Sequence, residues 1–133
     1  MAKNVGSVLE AIERDIGTLK QQHERLKKAY AELDERITAL GAGLRIEPYV
    51  PKKGSPEIGF RRFHDGWHIT TLLTGIADIT SEIPVIEATA EVQTDLVAHL
   101  PGLLEKLHGE IADRVKASKK AAADAEEILK ALR

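Results

Sequence analysis

Five histidines and twenty-one acidic residues supply the groups that acid–base or metal chemistry would need, whereas cysteine is absent. Without a thiol, cysteine nucleophiles, disulfides and sulfur-ligated metals are excluded. The densest grouping is His64-Asp65-Gly66-Trp67-His68. It reads first as a hairpin turn, because Asp-Gly suits the two positive φ angles of a type I′ turn. Alternation along the flanking strands then sends His64 and His68 to opposite faces, which counts against a shared metal or proton relay.

Glu105 and His108 have the Glu-x-x-His spacing of di-iron bundles. Those sites need a second such pair and further carboxylates, and no second copy occurs. His23 interrupts an otherwise apolar stripe whose neighbours, aliphatic apart from Tyr30, offer no further ligands. It reads as the polar residue that sets register. Gly41-Ala42-Gly43 closes a helix instead of opening one, so it reads as a cap and not a phosphate loop. No Gly-x-Ser-x-Gly elbow, Walker loop or zinc-helix motif is present. No catalytic, cofactor-binding or metal-binding residue is therefore expected.

The remaining candidates are basic. Arg45, Lys52, Lys53 and Arg61 fall in one short span with Arg62, Tyr49 and Trp67. Cations beside aromatics can hold phosphates and stack bases. A plainer account puts Arg62 over Trp67 as a cation–π pair and uses the lysines to keep a loop soluble and a sheet edge unpaired. These four basic residues are the expected partner-binding set.

The elements that would position them begin with the first forty residues, where apolar positions repeat at alternating steps of three and four. With Leu9, Ile16, His23, Tyr30 and Ile37 as a, the d positions are Val5, Ile12, Leu19, Leu26, Leu33 and Leu40. Such a seam predicts a coiled-coil helix over 3–41 that packs lengthwise on another helix, and Leu9 to Leu40 of this stripe are the expected oligomerisation residues. Asp15 at g and Lys20 at the next e would attract between parallel copies, with Glu13, Lys27 and Asp34 at other e positions.

From 44 to 73 the period changes to alternation, and Pro48, Pro51, Gly54 and Pro56 oppose a helix. The span predicts an antiparallel β insert with Pro48 on an edge strand. Its two-residue turn would pair His64 with Trp67, Arg62 with Ile69, Phe60 with Thr71 and Ile58 with Leu73. That face, richer in large apolar groups, is assigned to the core. A helical arm is expected over 81–132, starting near Ser81 or Thr89 and bent near Pro101, or restarted there with the proline in a first turn. Beyond it Ile111, Val115, Ser118, Ala122, Ala125, Leu129 and Leu132 continue a stripe. Its small members would allow a partner to approach closely.

The fold expected is α+β, mainly α, as one elongated domain over 1–133. A net charge of −2, with acids and bases interleaved, does not resemble a general polyanion binder. With no long apolar run and no basic start before an apolar core, neither a membrane span nor a signal peptide is read, and a cytoplasmic location is expected. The function expected is that of a non-enzymatic homo-oligomer, a dimer or higher, whose β insert is a surface for another protein. Two alternatives are a nucleic-acid-associated protein using the basic insert and an enzyme whose site is assembled across subunits.

Overall fold

The heptad stripe forms one long helix. α1 (Val5–Ala39) runs for 35 residues, about 52 Å at 1.5 Å per residue. This computed structural model describes residues 4–41 and 43–133. The expected helix start at residue 3, and Ala42 of the glycine pair, lie outside them. Gly41 follows the last turn at φ 66°, and its N–H bonds Thr38 O at 3.0 Å. A residue without Cβ adopts that left-handed cap at least cost.

Four strands form one antiparallel sheet in the order β1-β2-β3-β4: β1 (Ile46–Tyr49), β2 (Ile58–Phe63), β3 (Gly66–Thr74) and β4 (Thr80–Pro84). Pro48 sits on the edge strand, and the β1–β2 register shifts between Ile46 and Tyr49. Beside it Gly59 is obligatory, because a Cβ there would stand 2.9 Å from Ile46 O and from Thr70 Oγ1.

The β2–β3 hairpin forms with a register two residues from the expected one. Phe63 pairs with Gly66, Arg62 with Trp67 and Phe60 with Ile69. His64 and Asp65 make the turn at negative φ, and Gly66 alone is positive, at 126°. Packing accounts for the difference, since this register places Phe60 and Trp67 in a stack with centroids 5.3 Å apart. A slip of two preserves the face of every side chain. Ile58, Phe60, Ile69 and Thr71 accordingly face the core as expected. His68 and Thr70, on the face expected to meet solvent, are buried as well.

The helical arm does not begin at Ser81, which lies in β4. Its first helix, α2 (Ala90–Leu96), starts behind Thr89, whose Oγ1 accepts the Val92 N–H at 3.3 Å. One 3₁₀ turn over Val97–His99 separates it from α3 (Leu100–Ala131). Pro101 lies in the first turn of α3, where a missing N–H leaves no helical bond unmade. The helices cover one face of the sheet. Tyr30 and Ile37 of α1, Leu96 of α2 and Leu103 and Leu107 of α3 close over Ile46, Ile58, Phe60 and Ile69.

Candidate functional site

β4 stops at Pro84 opposite Thr70, so the first half of β3 has no strand on that side. The Asp34 side chain of α1 fills the gap. Its Oδ1 accepts the Ile69 N–H at 2.9 Å, and its Oδ2 lies 2.8 Å from His68 Nδ1. The other ring nitrogen, Nε2, lies 3.0 Å from Asp65 Oδ1 in the hairpin turn. An imidazole donates from both nitrogens only when protonated, so two ionised carboxylates at these distances favour the histidinium form of the ring between them.

Burial on its own lowers the His68 pKa, but the hydrogen bonds and charges of Asp34 and Asp65 outweigh it and the net direction is up. Burial raises the Asp34 carboxyl despite the opposing bonds from Ile69 and His68. Asp65, in water, is held below its usual value chiefly by the His68 bond. Burial, with Asp34 nearby, raises the Tyr30 hydroxyl, which donates to Gln93 O at 2.7 Å.

A cavity of about 210 Å³ opens beside this triad, lined also by Glu35, Thr38, Trp67 and Ile86. The lining holds no serine, cysteine or lysine, and the Thr38 hydroxyl already donates to Trp67 O at 3.4 Å. Both His68 nitrogens are occupied, which leaves no free ring lone pair for a substrate. What the arrangement does is tie α1 to the hairpin. Among the described residues no group of three or more histidines and acids is placed to hold a metal ion. Glu105, His108 and His64 are exposed and belong to no such group.

The basic candidates divide. Arg45 bonds Glu82 at 3.1 Å and Glu47 at 3.3 Å. Arg61 lies 3.8 Å from the same Glu82 and 5.2 Å from the Phe63 centroid. Glu82 itself is almost fully buried and accepts from Thr70 Oγ1 at 2.7 Å. One carboxylate thus draws Arg45 and Arg61 together, while exposed Lys52 and Lys53 form no ion pair among the described residues. The aromatics are engaged too. Trp67 stacks on Phe60, where a contact with Arg62 was expected, and Lys106 lies over the Tyr49 ring at 4.6 Å.

The seam also divides. Tyr30 and Ile37 are buried in the chain's own core, and Leu26 and Leu33 pack against it. These four pack within the chain, Tyr30 and Ile37 completely and Leu26 and Leu33 in part, where contacts between copies were expected. Leu9, Ile12, Ile16 and Leu19 are 46–55% exposed, His23 is half-buried and Leu40 is 80% exposed.

No family model, curated protein or solved structure matches this chain. Function is therefore read from geometry. Two carboxylates that organise these clusters escaped the sequence reading: Asp34, seen there only as a charge flanking the seam, and Glu82, in an unrecognised strand. The one available signal was an acid at an e position beside Tyr30 and Ile37, the residues of α1 most deeply buried.

Proposed function

We propose that this chain is a non-enzymatic, self-associating helical protein that presents its sheet and the β1–β2 loop to another protein. One observation carries the reading: from Val5 to Leu19 the heptad stripe continues in α1 at 46–55% exposure, with no other described element packed over it. A stripe of that length on a monomer is an association site or an aggregation liability. Occupied ring nitrogens at His68 and a lining without serine, cysteine or lysine, in which the Thr38 hydroxyl already donates to Trp67 O, support the non-enzymatic part. Pairing of Arg45 and Arg61 with Glu82 leaves Lys52 and Lys53 as the free cations of the candidate set, which favours a protein partner over a phosphate backbone that needs many.

Light scattering after size exclusion tests the reading. The expected mass at micromolar concentration exceeds the 14.6 kDa of one chain, and Leu9→Asp with Ile16→Asp lowers it to one chain without loss of helix. A wild-type chain that stays monomeric over the accessible range would overturn the proposal.

A further inference from the structure

The two uncovered helical segments leave the core at opposite ends of α1. Leu26, Tyr30 and Leu33 share a small apolar cavity with Val97 and Leu100, just before and at the start of α3. Gly43 and Leu44, just past the end of α1, share a groove with Ile111, Val115 and Ser118 further along α3. The helices therefore advance in the same sense, with Val5–Leu19 free behind the core and Val115–Leu132 free ahead of it. Stacking one copy ahead of another brings the free end of α3 in the first beside the free end of α1 in the second, both running the same way.

We infer that the occupant of the free α1 seam is the free half of α3 from a second copy, packed in parallel. This rests on the self-association proposed above and names its geometry. The α3 steps from Ile111 to Leu132 alternate between four and three, with Val115, Ala122 and Leu129 at a and Ser118, Ala125 and Leu132 at d. In a parallel pair a meets a and d meets d. Leu9 then meets Val115 at one end and His23 meets Leu129 at the other. Between them the large Ile12, Ile16 and Leu19 face the small Ser118, Ala122 and Ala125, so bulk opposes space at each layer. The same register brings Val5 to the level of Ile111, where the groove of about 540 Å³ beside Leu44 receives it.

Charge agrees at the first flanking contact, where Glu13 at e meets Arg114 at g. One pair, Asp15 with Glu126, is unfavourable. Contacts between two α1 segments fare worse. Side by side in parallel, two copies would bring both cores to one level, where Val97 and Leu100 of each already cover its own seam. Fully overlapped and antiparallel, they would set Asp15 against Asp15 and Glu13 against Glu13. A contact between two different patches is heterologous, and arms at opposite ends propagate it from copy to copy.

The test uses full chains that carry one disabled arm each. Ile12→Asp with Ile16→Asp disables the α1 arm, and Ala122→Asp with Ala125→Asp disables the α3 arm. All four positions are exposed, and circular dichroism should show unchanged helix. Wild type should grow past a dimer as concentration rises. Each variant alone should be monomeric, and an equimolar mixture should form a one-to-one heterodimer that grows no further. Arg114→Glu should weaken that heterodimer about 3-fold, Glu13→Arg on the other chain should restore it, and Glu126→Lys should tighten it about 2-fold. A variant with a disabled α3 arm that still dimerises would overturn the head-to-tail geometry and leave self-association standing. A mixture that stays monomeric beside an associating wild type would also overturn it, whereas a monomeric wild type would overturn both.

Discussion

Within α1 one heptad pattern meets two fates. From Leu26 to Ile37 the seam is covered by the chain's own sheet and by the segment leading into α3, while from Val5 to Leu19 the same pattern lies half in water. Periodicity states that a stripe must be covered, and only tertiary structure states by what. The covered half is further marked by a polar lock that the free half lacks among the described residues, with Tyr30 held to Gln93 and Asp34 to His68 and Ile69.

Truncation should separate the halves by energy. Ile37→Ala, at a position 4% exposed, should cost about 4 kcal/mol in chemical denaturation, as cavities in packed cores do. Asp34→Ala should follow at about 3 kcal/mol, since it strands the Ile69 N–H and leaves His68 with one carboxylate.

His68 adds a pH dependence to the covered half. Because its folded pKa lies above the usual 6.5, its contribution is complete below that value and is lost as pH rises through the folded pKa. Asp65 acts oppositely, contributing above the usual carboxylate value and losing that as pH falls through its own lowered one. Thermal melts on the alkaline side should therefore show a decline in wild type that His68→Gln flattens; equal slopes in both proteins would remove histidinium from the account.

Ala77→Gly should stabilise by about 1 kcal/mol, because Ala77 holds φ 63° in the β3–β4 turn. At the small end, Ile16→Ala should change unfolding of the dissociated chain by less than about 0.5 kcal/mol. A cost there as large as that of Ile37→Ala would erase the distinction between the halves.

The long helix, its glycine cap and the existence of the β2–β3 hairpin were legible because each depends on neighbours in sequence, and Thr89 was one of two starts offered for the second arm. β4 was not. Its turn places Ala77 and Asp78 at positive φ, and neither is a glycine or asparagine that would announce it. The hairpin register was misread because an Asp-Gly pair specifies a turn less firmly than Phe60 and Trp67 specify a stack. Least legible was the Asp34–His68 contact, which joins residues 34 apart and needs both the register and the early end of β4. Strand alternation separated His64 from His68 in the sequence, but nothing local announced that folding would give His68 two carboxylates and leave His64 in the turn.

The most direct measurement is amide hydrogen exchange along α1 in dilute and concentrated protein. Free energies of opening report which turns are held by packing and which stand alone. The account predicts slow exchange from Leu26 to Ile37 at every concentration, and protection from Val5 to His23 that appears only as copies associate. Concentration-independent exchange in that first half, fast or slow, would contradict it.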